Sequence, residues 1–213
     1  MILKNPILIF DFDGTIADTH SYIIQISNIL AQQFNYNAIH PEEKDRLKDK
    51  STVEIIQHLK IPFMKIPAII SQGKKEYYKN LLSIEPIEGI KEVLKQFKQL
   101  NITMGILSSN SMENIQKFLS LHELDIFNFI HTTPKIWSKN TSLDKLIKSN
   151  EFNLQSIFYI GDEIRDITAA QKLGVKVAAV CWGYNSSKVL KNYKPDFLLY
   201  HPQELSELIH FTT

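Results

Sequence analysis

Apolar residues in this chain fall into two alternating kinds of run. ILIF at 7–10, ITMGIL at 102–107 and SIFYIG at 156–161 are short and continuously apolar, which is how strands buried on both faces of a parallel sheet read. VKVAAVCW at 175–182 and DFLLY at 196–200 extend the series. Between them apolar residues recur at helical spacing: Ile90, Val93, Leu94 and Phe97, then Ile115, Phe118 and Leu119, then Leu143, Leu146 and Ile147. A further helix follows Asp162 and stops near Gly174, and the last begins with Pro202 in its first turn. Strand and helix in alternation predict an α/β fold, a doubly wound, Rossmann-like parallel sheet.

The stretch 16–84 breaks that rhythm, with several helical patterns and no buried strand. One helix is predicted over Thr19 to Phe34, another from Pro41, a third from Ser51 with Glu54 in the capping-box position, and a fourth after Pro67. Pro86 and Gly89 mark the return. The predicted organisation is a core formed by 1–15 and 85–213 with a helical unit inserted at 16–84.

With 213 residues at 44% hydrophobic, the chain has apolar material for one sizeable core plus an insertion. Its 24 Lys and Arg against 23 Asp and Glu provide no field of one sign to draw in nucleic acid or an anionic membrane. Cys181, the only cysteine, sits in an apolar run and reads as a small buried hydrophobe. The first apolar run is too short for a signal segment, so a cytoplasmic location is the expectation, with monomer and homodimer both open.

Chemistry concentrates where predicted strands end. D-F-D-G-T at 11–15 follows the first strand, and two carboxylates there are costly to bury without a compensating cation. Gly14 suits a sharp turn and Thr15 offers donors toward an anion. G-D-E-I-R-D at 161–166 follows another strand, with Asp162 and Asp166 spaced to point the same way from a first helical turn. Asp11, Asp13, Asp162 and Asp166 are therefore expected to share one crevice. Such a crowd calls for a hard cation with oxygen ligands, and magnesium suits a site with open positions.

These motifs, with S-S-N at 108–110 after the strand ITMGIL and Lys139 before an amphipathic helix, resemble the four ordered motifs of haloacid dehalogenase-type phosphatases. The resemblance spans nearly the whole chain. It implies Asp11 as the nucleophile that takes a phosphoryl group, Asp13 as the acid/base, and Asp11, Asp13 and Asp162 as the magnesium site. It also implies Ser108 as a hydrogen-bond donor to the phosphoryl group, Ser109 and Asn110 as further donors, Lys139 as the charge-offsetting cation, and Asp166 as an orienting acid. Lys135 is the rival for the lysine role. The insert resembles the small helical cap of the phosphoglycolate phosphatase and phosphoglucomutase branch. Lys48 and Lys50, beside a predicted helix N-terminus, are its candidates for a second anionic group of the substrate. The implied substrate is a small phosphorylated metabolite, 2-phosphoglycolate first. A phosphomutase and a non-catalytic phospholigand-binding protein are the alternatives, separated by metal-dependent turnover.

Overall fold

The computed structural model describes residues 6–133 and 139–210. β1 (Ile7–Phe10) leads into a helical segment made of α1 (His20–Phe34), α2 (Lys44–Leu47), α3 (Thr52–His58) and α4 (Ile66–Asn80). Helix and strand then alternate through α5 (Ile90–Gln99), β2 (Thr103–Ser108), α6 (Met112–Leu121), β3 (Phe129–Thr132), α7 (Lys139–Ser149) and β4 (Ile157–Gly161). α8 (Ile164–Lys172), β5 (Lys176–Val180), α9 (Ser187–Asn192), β6 (Phe197–Leu199) and α10 (Ser206–Ile209) complete the chain.

Among the described residues all six strands are parallel, in the order β3-β2-β1-β4-β5-β6. Successive side chains of β1 point to opposite faces of the sheet. Leu8 and Phe10 belong to one apolar cluster with Val93, Leu94 and Phe97 of α5 and Phe118 of α6, whereas Ile9 belongs to a second with Leu143 and Ile147 of α7 and Ile167 of α8. Helices therefore cover both faces, which is why the strands read as largely apolar runs. The order reverses at β1, where a crevice opens beyond the strand ends. Phe10, the last residue of β1, lies opposite Ile106 and Ile160, so β2 and β4 end within two residues of that level, at Ser108 and Gly161.

Sequence pattern and structure differ in three places. β3, a sixth strand, lies at the sheet edge with all four residues, Phe-Ile-His-Thr, only half-buried, and so shows no continuous apolar run. The stretches from Pro41 and from Pro202 both begin as 3-10 turns, Pro41–Glu43 and Pro202–Leu205, before α2 and α10. Cys181 is half-buried rather than buried, and burial pushes its thiol up to about 11, away from thiolate reactivity.

The helical segment carries the predicted caps. Ser51 accepts from Glu54 N and Glu54 from Ser51 N (2.8 Å) at the start of α3, and Pro67 sits in the first turn of α4. Its two ends lie side by side: Asp18 N donates to Glu85 O (2.9 Å) and Ile87 N to Ile16 O (2.8 Å), and Ala17 bridges both Asp13 and Pro86. Among the described residues, no helix is long and apolar enough to cross a membrane.

Candidate active site

Asp11 is the first residue past β1, and its amide donates to Ile160 O of β4 at 2.7 Å, continuing the ladder into the crevice. One carboxylate oxygen accepts from Phe12 N (2.8 Å) and the other from Lys139 Nζ (2.5 Å). Lys139 opens α7 and is only 3% exposed, so it is a buried cation and not a solvated one. It also pairs with Asp166, whose second oxygen accepts from Glu163 N (3.0 Å). Burial lowers the Lys139 pKa, but the charges of Asp11 and Asp166 more than offset this and hold it above the usual lysine value. The rival Lys135 lies outside the described residues.

Asp162, fully buried past β4, accepts from Thr15 Oγ1 (2.7 Å) and from Tyr184 N (2.7 Å). Thr15, expected to face an anion, thus gives its hydroxyl proton to a carboxylate and orients it. Gly14, with φ +77°, and Gly183 make room: a Cβ on either would come within about 2.3 Å of Asp162 atoms, including its Cβ at Gly183. We expect Gly183→Ala to lower stability by about 1–3 kcal/mol through overpacking. Denaturant unfolding reads this loss, and an unshifted midpoint contradicts the crowding.

Asp11, Asp162 and Asp166 each offer an oxygen within 4.8 Å of the others, all three buried. Burial and the neighbouring acids Glu163, Asp11 and Asp166 push Asp162 well above the usual carboxylate range. Burial likewise raises Asp166 to about 6, against the pull of Lys139. One lysine does not balance three buried carboxylates, and an all-oxygen set with a raised-pKa member fits a hard divalent cation.

Asp13 stands apart from that cluster. The motif resemblance implies Asp13 as a metal ligand, whereas its carboxylate accepts from Asn110 Nδ2 at both oxygens, 3.0 and 3.3 Å. Burial and the Asp11 charge raise it to about 6, only partly countered by hydrogen bonding from Asn110, Tyr77 and Thr19. Asn110 is itself held by Asn114 Nδ2 (2.9 Å) and Ser111 N (2.8 Å), and its own amide donates to Ser108 Oγ (3.0 Å) at the buried end of β2. Ser109 lines the cavity onto which Asp13 faces.

The helical segment contributes residues the motifs do not announce. Lys74 and Tyr77 of α4 line the same cavity, and the buried Tyr77 hydroxyl lies against Asp13 and Asn110. Partial burial lowers the Lys74 pKa while the Asp13 charge opposes this. Lys50 borders neither this cavity nor the smaller recess beside α8; its carbonyl accepts from Asn185 Nδ2 (3.0 Å), as does that of Lys48 (2.9 Å). Asn185 Oδ1 caps Ile164 N (2.9 Å), so this side chain ties the segment to the start of α8. Tyr184 and Thr19 hydrogen-bond each other at 2.8 Å beside the cavity.

The family model for haloacid dehalogenase-like hydrolases matches residues 8–180, which include every one of these strand-end residues up to Asp166. The chain belongs to that family. A phosphoglycolate phosphatase of Synechococcus elongatus is 30% identical over 203 residues, covering 95% of this chain and 96% of that protein. Pyrophosphatase PpaX of Bacillus anthracis is 25% identical, covering 97% and 96%. A haloacid dehalogenase-like family hydrolase of Streptococcus pneumoniae superposes with a TM-score of 0.78 at 18% identity, over 95% of this chain and 97% of that one, and shares the fold. Family and relatives together identify a phosphatase.

Proposed function

We propose that this haloacid dehalogenase-like hydrolase cleaves a small phosphomonoester through a phosphoryl group carried on Asp11. The observation that carries the reading is the division of the acids: Asp11 is held by Lys139 beside Asp162 and Asp166, while Asp13 is held separately by Asn110 on the cavity side. In the first half-reaction the free electron pair of an Asp11 oxygen forms a bond to phosphorus as the bond to the leaving oxygen breaks, and Asp13 gives that oxygen its proton. In the second, Asp13 takes a proton from water, whose oxygen attacks phosphorus and releases Asp11. An Asp13 pKa of about 6 suits a group that both gives and takes a proton near neutrality. Ser108 and Lys139 serve to hold the phosphoryl oxygens. Asp11, Asp162 and Asp166 are the residues that would hold magnesium, with the backbone around Asp13 next to them. When bound, the ion supplies charge stabilisation for the transferring group.

We read the segment 16–84 as a cap that closes over the crevice, since its helices wall the cavity facing Asp13. The 2-phosphoglycolate named for the Synechococcus relative is the reference substrate, and Lys74 rather than Lys50 is the cap cation placed to meet its carboxylate. The test is steady-state phosphate release from a phosphomonoester panel with magnesium or EDTA. Turnover lost in EDTA supports the reading, and turnover indifferent to it rules out the metal role. Magnesium at a hundredfold excess over its Kd should stabilise the fold by about 2.7 kcal/mol, a rise of roughly 5–10 °C in Tm. At one fixed magnesium concentration the rise should grow with pH: with raised native pKa values the metal-free protein binds more protons than its unfolded chain, so its stability falls from about pH 4 upward as the carboxylates ionise and become free to bind the ion.

A further inference from the structure

The cavity lined by Asp13, Ser109, Asn110 and Lys74 is about 360 Å³, and much of its remaining wall is apolar. Ile23 and Ile26 of α1, Ile55 of α3, Ile61, and Ile69 and Ile70 of α4 form most of that wall, with Ser27, Tyr36 and Thr52 among them. At the α4 wall Gly73 leaves space: a Cβ there would meet nothing nearer than Leu30 Cδ1 at 3.6 Å and Ile26 Cγ2 at 4.0 Å. The carboxymethyl group of 2-phosphoglycolate has four heavy atoms beyond the bridging oxygen and ends at the polar mouth. The rest of the cavity would then hold water against mostly aliphatic walls, where Ser27 and Tyr36 already hydrogen-bond each other. An apolar chamber lying behind the acid that faces the leaving oxygen is suited to an apolar leaving group.

We infer that the chamber receives the body of the leaving alcohol, and that the protein hydrolyses phosphomonoesters of aliphatic or aromatic alcohols as a further substrate class. This rests on the phosphomonoesterase reading. The phosphoryl group sits at Asp11 and Lys139, the bridging oxygen at Asp13, and the carbon chain runs past Lys74 among the isoleucines. The reaction is the one already written: the phosphorus–oxygen bond breaks, the alcohol leaves with a proton from Asp13, and water supplies the oxygen of inorganic phosphate.

The experiment is kcat/KM with magnesium for straight-chain alkyl phosphates from methyl to octyl, with 2-phosphoglycolate as reference, on the full chain. Each methylene that enters the chamber should raise kcat/KM about threefold to fourfold, until the chamber is full and the series levels off. Gly73→Leu, a change that favours the helix and fills the chamber, should level the series at a shorter chain. Should that variant fail to fold, Ile69→Ala enlarges the chamber and should move the plateau to a longer one. A series that is flat or falls with length, or a gradient that both variants leave unmoved, overturns the chamber's role even if 2-phosphoglycolate is cleaved. Absence of magnesium-dependent turnover on every ester, 2-phosphoglycolate included, overturns the phosphomonoesterase reading and the inference with it.

Discussion

Asp11→Asn is expected to lower phosphate release by about 10⁴-fold or more while leaving the fold intact. The amide keeps the shape of the side chain but loses the charge and one of the two acceptors, so it is a far weaker nucleophile. Its NH2 group also faces either Phe12 N–H or the Lys139 ammonium, the two donors that Asp11 now satisfies. Lys139 keeps Asp166 as a partner, and one carboxylate fewer relieves the crowding around Asp162 and Asp166. Stability should therefore change by no more than about 1 kcal/mol, which thermal unfolding will show. Acid-quenched wild-type protein should carry a phosphoryl group that is lost in the variant. Activity within tenfold of the wild type would remove Asp11 from the nucleophile's role.

Lys139→Met should have the largest effect on stability. The substitution keeps the length of the side chain and removes the cation that joins Asp11 to Asp166 in a site with almost no solvent exposure. Removing one partner of a buried ion pair costs about 3–5 kcal/mol because the remaining charge is left uncompensated. The loss should be greatest above pH 7 and shrink on acidification. Asp166 is already raised to about 6 with the lysine in place, so without it the native state takes up protons that the unfolded chain does not, and its relative stability rises as pH falls. Loss of charge stabilisation on the phosphoryl group should cost a further 10²–10³-fold or so in kcat. Urea unfolding at pH 5 and pH 8 separates the two effects, and equal losses at both would show that the lysine acts through packing alone.

The sheet was legible because burial on both faces leaves β1, β2, β4 and β5 as largely apolar runs, with Thr103 and Lys176 polar at the starts of β2 and β5 and Ser108 at the end of β2. β3 escaped because an edge strand is half-solvated, and His131 and Thr132 sit there at no penalty. At the crevice, the placement of Asp11, Ser108 and Asp162 followed from one rule, that chemistry gathers at the carboxyl ends of parallel strands. The rule says nothing about which residues face down from the helical segment. KKEYYK in α4 has three lysines and two tyrosines within six positions, and only packing reveals that Lys74 and Tyr77 turn inward. Reading Lys50 as a substrate cation relied on the start of α3 pointing into the site, whereas Asn185 fastens that turn through its carbonyls beside α8. The isoleucines of the chamber were equally silent, since helical spacing marks an apolar face without saying whether protein or ligand covers it.

The paired entry and exit of the helical segment carry a consequence for how such proteins diversify. With Asp18 and Glu85 joined by a backbone hydrogen bond, everything between them is a loop whose ends are already closed by the sheet-side structure. Doubling the length of a flexible loop with fixed ends adds only about 0.6 kcal/mol in closure entropy. Insertions, deletions or wholesale exchange of the intervening helices are therefore cheap for the strand-end acids, and selection can rebuild the chamber without renegotiating the chemistry beneath it.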